Sequence, residues 1–154
     1  MEALNEFFID YGYLGMAMAA FLAGSFVPFS SEAVMSALLA MTSMDPWLTI
    51  IWASVGNIGG SMFNYYLGRM GNTQTIAKWL KVKEKRIIKA KDFVNKRGSW
   101  IAIFTFLPIL GTAIAVAMGM LRTNIFKVLF FTTIGKVVRY IIVALSVVAL
   151  KGAT

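Results

Sequence analysis

Phe26-Val27-Pro28-Phe29-Ser30-Ser31-Glu32 interrupts an apolar run from Gly12 to Met44, and its reading decides the fold. Crossing a hydrocarbon core of about 30 Å takes roughly 20 helical residues. The arms on either side, Leu14 to Val27 and Ala33 to Met44, are both too short. They fit a re-entrant helical hairpin that enters and leaves by one face. Polar backbone at its tip is tolerable only where protein or a wet cavity surrounds it. The alternative is a Pro-kinked helix followed by a buried one.

The pattern recurs. Ser99 to Leu107 is too short to cross, Pro108 breaks it, and Ile109 to Leu121 is a second short arm. Pro28 is followed 28 residues on by Gly56-Asn57, and Pro108 is followed 27 residues on by Gly135-Lys136. Each half closes on a segment long enough to cross, Trp47 to Leu67 after the Asp45-Pro46 restart, and Ile125 to Leu150. Interrupted hydrophobic segments at matching positions of two halves point to a transport site near the bilayer midplane. Because each hairpin returns to its own side and each long helix crosses, the repeats, 12–68 and 99–150, are expected to be inverted. Pro28 and Pro108 are the expected hairpin turns.

Composition agrees with an all-α integral membrane protein. Hydrophobic residues make up 58% of the 154 and charged residues 14%, against roughly 25% charged in soluble domains. The length allows one membrane domain, 1–154. The absence of cysteine and histidine removes disulfides, thiolate chemistry and the metal sites that rely on those ligands. No cofactor and no metal are expected.

Two segments lie outside the repeats. In 1–11, Leu4, Phe7, Phe8 and Tyr11 share a helical face and Glu2, Glu6 and Asp10 lie elsewhere, which predicts a short interfacial helix. Its acidic start is unlike a signal peptide, so it is expected to stay on the mature chain. Segment 69–98 carries ten Lys or Arg against Glu84 and Asp92, a local net of +8 that equals the net charge of the whole chain. The positive-inside rule places it in the cytoplasm and both termini outside the cell (inner) membrane. Ile76, Trp79, Leu80, Ile87, Ala90 and Val94 recur at helical spacing, so the segment reads as a basic amphipathic helix lying on anionic lipid head groups. Membrane lipids are the expected partners, nucleic acid is not, and the sequence leaves a homo-oligomer open.

Glu32 is the only carboxylate in the apolar segments, and no acid follows Asp92. The last helix carries Lys136 and Arg139, about one turn apart and on nearly the same face. Charges at mid-membrane usually mark a pathway or pair with one another. The planar fork of Arg139 suits a phosphate or carboxylate, whereas Lys136 is ambiguous between such a site and an interface. A Glu32–Arg139 contact reads either as a structural ion pair or as a gate, where Glu32 takes up a proton and a phosphate head group replaces it. Asn57 and Asn64 are seven apart and share a face, as interhelical glue or as substrate contacts. Ser30 and Ser31 at the first turn join the candidate transport residues. No Ser-His-Asp set, Walker loop or dinucleotide fingerprint is present, and Glu32 has no second acid at its depth. The chain reads as a transporter and not as an enzyme.

At Phe26-Val27-Pro28-Phe29-Ser30-Ser31-Glu32-Ala33-Val34 the chain resembles the DedA family, the VTT or SNARE-associated membrane proteins, and most closely their short YqaA-like branch. The likeness continues through Gly56-Asn57, Asn64, Leu67-Gly68-Arg69, Leu107-Pro108-Ile109-Leu110-Gly111 and Gly135-Lys136-Val137-Val138-Arg139-Tyr140. The resemblance implies inverted re-entrant hairpins and a flippase or scramblase role for an anionic phospholipid or polyprenyl phosphate, linked to proton-motive force. It assigns Glu32 as the first-hairpin acid and Arg139 as the terminal-helix arginine. Where the wider family has arginines around the second proline, this chain has Thr105 and Gly111, and where the short branch has an acid, it has Thr112. Thr112 cannot titrate, which speaks against a two-acid proton relay, and without those arginines phosphate binding at the second hairpin would have to shift to Lys136 and Arg139. Two other readings stay open: a proton-coupled exporter of lipophilic cations with Glu32 as its cation site, and a membrane-shaping protein that transports nothing.

Overall fold

A computed structural model describes residues 2–27, 29–107 and 110–153, with 2–5 and 7–9 as backbone alone. The turns expected at Pro28 and Pro108 lie outside the described residues, as do the side chains of Leu4, Phe7 and Phe8. The chain forms α1 (Glu2–Gly24), α2 (Ser31–Met41), α3 (Pro46–Met70), α4 (Thr73–Leu80), α5 (Glu84–Arg97), a 3-10 helix (Ser99–Phe106), α6 (Leu110–Met120) and α7 (Ile125–Gly152). Among the described residues there is no strand.

Local chemistry sets several starts. Ser30 caps α2 by accepting from the Ala33 N–H (3.3 Å), and Asp45 caps α3 by accepting from Leu48 (3.0 Å), with Pro46 in the first turn. Asn72 and Asn124 cap α4 and α7 in the same way. No such signal separates residues 2–11 from the first arm. The segment expected to lie apart at the interface therefore continues into α1 as one helix. The Asp45 N–H donates to the Tyr13 hydroxyl (3.0 Å), so about three turns of α1 project past the level where α3 begins.

Two halves repeat one packing scheme with partners exchanged. The first arm of each half lies along its own long helix, α1 on α3 and the 3-10 helix on α7. The second arm lies on the long helix of the other half, α2 on α7 and α6 on α3, and α3 packs on α7. Glycine permits the close approaches: a Cβ on Gly56 would run into the Ala17 carbonyl, and one on Gly135 into the Ile103 carbonyl. These are the two glycines of the repeated Gly-polar pairs.

Both halves fold back partway along a long helix. Gly24, at the end of α1, abuts Asn57 near the middle of α3, and by Met44 the chain is again beside Gly12. In the second half the Phe106 carbonyl accepts from Arg139, and α6 then runs back until Gly119 meets Tyr65 and Arg69.

Most of the apolar face expected to rest on a bilayer surface packs inward instead, while Trp79 stays half exposed. Ile76, Leu80 and Ile87 pack with Val116, and Ala90 and Val94 join a core with Ile101 and Met118. The reason lies in α6, which has almost no polar face: residues 113–119 are all buried, and α5 covers them. The lysines of α5 stay outside. Apolar surface elsewhere forms helical stripes, as in Phe126, Phe130, Ile134, Val138, Ile142 and Leu145 of α7. Among the described residues α7 is the one helix both long and apolar enough to cross a membrane by length and composition.

Candidate functional site

The two fold-back points are built alike. Three residues before each proline a hydroxyl turns back onto its own helix: Ser25 donates to the Leu22 carbonyl (2.8 Å) and Thr105 to the Ala102 carbonyl (2.7 Å). Each hydroxyl thereby finds its partner within its own helix, three residues back. The tips then touch, with Thr112 donating to the Ser25 carbonyl (3.3 Å). Asn64 donates to the Gly24 carbonyl (3.0 Å) and is fully buried. It ties α1 to α3, which is the glue role, and it does not line the cavity described below.

Asn57 and Lys136, the polar members of the repeated pairs, bond to each other. The Lys136 ammonium donates to the Asn57 carbonyl (2.9 Å) and also to its side-chain oxygen. Lys136 is 2% exposed, so it does not reach an interface. The amide of Asn57 donates to the Tyr140 hydroxyl (2.8 Å), which also shares a hydrogen bond with Ser31 (2.7 Å). Tyr140 thus joins all three elements, α2, α3 and α7. In the sequence it stands out only as part of a motif. Its signal is position: one turn after Lys136, it falls on the same face.

Arg139 makes an ion pair with Glu32 and donates to the Phe106 carbonyl, so one side chain clasps both tips. Ser30 donates to the other carboxylate oxygen of Glu32 (3.3 Å). Glu32 and Arg139 face a cavity of about 940 Å³, which the first tip, Thr105 to Leu107, Thr112, Asn57 and Lys136 also line. Its remaining wall comes from Trp79, Lys81 and Arg86, which sequence analysis placed in a separate amphipathic segment. Among the described residues, four cations therefore line it against one carboxylate. No cluster of three or more potential metal-ligating side chains occurs among the described residues.

Replacing Tyr140 by Phe should strand the Asn57 amide donor and weaken the Ser31 contact, costing about 1 to 3 kcal/mol. Thermal unfolding in detergent checks this, and an unchanged midpoint would contradict the network.

Residues 27–149 match the VTT domain, a span that includes α3, all but the last three residues of α7, and every cavity residue from Phe29 to Arg139. The chain is 28% identical to the inner membrane protein YqaA of Escherichia coli over 130 residues, covering 84% of this chain and 87% of that protein. It is 30% identical to an uncharacterized membrane protein, YbfM of Bacillus subtilis, over 70% of this chain and 71% of that one. Undecaprenyl phosphate transporter A of Staphylococcus aureus is 26% identical over 87% of this chain and 71% of its own length. No solved structure matches. With helical stripes of apolar surface outside, charge gathered at the tips inside, and a match running through both halves, the chain belongs to the VTT domain family of DedA membrane proteins.

Proposed function

We propose that this protein moves an anionic lipid, a phospholipid or a polyprenyl phosphate, across the bilayer. The observation that carries the reading is the cavity at the tips, where Lys136 and Arg139 face Glu32. A phosphate head group supplies the negative charge this site lacks, and a forked guanidinium binds it with two parallel hydrogen bonds. Protonation of Glu32 breaks its ion pair, and the freed Arg139 takes the phosphate in its place. Ser30, Ser31 and Thr112 provide hydroxyls around the exchange, and Asn57 holds Lys136. The name of the Staphylococcus aureus relative supports a phosphate-bearing lipid as substrate.

The same reading makes the two fold-backs re-entrant hairpins that approach from opposite faces, in one membrane domain of inverted repeats. The exchanged packing of arms and long helices supports it. Segment 69–98 then faces the cytoplasm and both termini lie outside. Since the native chain has no cysteine, single cysteines at Lys85 and Ala153 test this topology. An impermeant thiol reagent on intact cells should label position 153 and spare position 85; the reverse pattern overturns it.

Neither alternative fits as well. An exporter of lipophilic cations needs Glu32 unpaired, and here it is engaged by Arg139 in a cavity with an excess of positive charge. A membrane-shaping role needs the apolar face of α5 free, and Ile87, Ala90 and Val94 of that face are buried. Reconstitution in liposomes with labelled lipids decides the matter. The intact chain should move anionic lipid and Glu32→Gln should not; no movement by the intact chain sinks the proposal.

A further inference from the structure

The elbow between α4 and α5 belongs to the cavity wall, although the sequence pattern assigns it to a basic amphipathic helix lying on lipid head groups. Trp79, Leu80, Lys81, Val82 and Arg86 line the same space as Glu32 and Arg139. Lys81 and Arg86 are exposed, and the ion pair found at this site among the described residues, Glu32 with Arg139, includes neither. Trp79 is 51% exposed beside them, an amphipathic ring of the kind that favours a lipid head-group level. Lys81 also occupies the left-handed cap of α4 at φ +51°. Glycine adopts that conformation without steric cost, and the chain carries a cation there instead.

We infer that the elbow is a second anion station, where Lys81 and Arg86 receive the phosphate of a lipid head group before it reaches Arg139 and Lys136. The inference rests on the transport reading for its order of events, while binding at the elbow stands on the cavity geometry. Two cations at the mouth and two at the tips, with Glu32 at the inner pair, form a path that grows more enclosed inward: Lys81 and Arg86 are exposed, Arg139 is half-buried and Lys136 is buried. The apolar and aromatic part of the wall, Trp79, Val82 and Phe26, fits the first segments of an acyl or prenyl chain, which selects a lipid over free phosphate.

Binding and transport are read separately. In a full-length chain with Trp47, Trp52 and Trp100 replaced by Phe, Trp79 is the sole tryptophan. Its fluorescence should change saturably with short-chain phosphatidate, and the double variant Lys81→Ala, Arg86→Ala should weaken that binding at least about tenfold, as expected for two lost charge-assisted contacts. Lys85→Ala, Lys89→Ala removes the same charge from α5 outside the cavity and should leave binding within about twofold, the size of a screened surface effect. In proteoliposomes the elbow variant should require several-fold more anionic lipid for half-maximal flux at an unchanged maximum. Equal weakening by both double variants would reduce the effect to bulk charge and overturn the station. An equal response to inorganic phosphate would overturn the lipid as its ligand. Elbow-dependent binding without lipid flux in the intact chain would keep the station and remove the transport reading.

Discussion

Glu32→Gln and Arg139→Ala should each abolish lipid movement in a protein that still folds and inserts. The amide introduced by Glu32→Gln keeps the shape of the carboxylate but cannot exchange a proton, so Arg139 loses the counter-charge whose departure opens the site. Arg139→Ala removes the clasp on both tips together with the phosphate fork. Stability gives an independent reading. Breaking a buried pair by removing one partner costs about 3 to 5 kcal/mol. Arg139 and Glu32 side chains keep 30% and 23% exposure, so about 2 kcal/mol is expected here after solvent screening. The double variant should recover much of that stability, because no uncompensated charge is left. Flux should not recover with it. A folded double variant with full flux would leave the pair a purely structural role.

A second large effect is expected where α6 crosses α3. A Cβ on Gly119 would run into the Tyr65 carbonyl and come within 3.0 Å of the Arg69 nitrogen, both of them backbone. Neither helix has room to yield. Residues 113–119 are buried on every side, and a hydrogen bond from the Tyr65 hydroxyl to the Thr123 carbonyl (2.5 Å) pins the crossing. Overpacking costs about 1 to 3 kcal/mol in an ordinary core, and Gly119→Val should exceed about 3 kcal/mol, seen as loss of folded protein in detergent. Gly15 makes the contrast. Nothing lies within 4 Å of its Cβ position on α1, so Gly15→Ala should stabilise by about 0.5 to 1 kcal/mol. Similar effects at the two positions would contradict the close crossing.

The all-helical membrane class was legible because long apolar segments are a coarse signal. Apolar segments broken by proline, the matched Gly56-Asn57 and Gly135-Lys136 pairs, and the isolated Glu32 pointed to the helical membrane class and to the residues at the site, although the first arm, expected to be too short to cross, belongs to a 23-residue α1. The Glu32–Arg139 contact followed from charge economy, since an isolated acid in an apolar segment seeks a cation. The elbow was not legible. An amphipathic pattern reports that a face is buried and is silent on what buries it; α6, which lacks a polar face, took the place expected for the bilayer. The continuity of α1 through Gly12 was missed for a related reason, because a change from polar to apolar composition does not end a helix without a cap or a proline. Asn64 and Asn57 share a face at seven-residue spacing, with glue the stronger reading for Asn64, and packing then separated its tie to Gly24 from the place of Asn57 in the cavity wall.

Transport by this route takes a head group through the place where the two tips meet. Cysteines at Ser25 and Thr112, now joined by the contact from the Thr112 hydroxyl to the Ser25 carbonyl, allow the tips to be locked by a disulfide in a chain with no native cysteine. Proteoliposome flux of labelled anionic lipid, measured on the oxidised protein and again after reduction, should be lost on locking and restored on release. Undiminished flux with the disulfide fully formed would contradict the account.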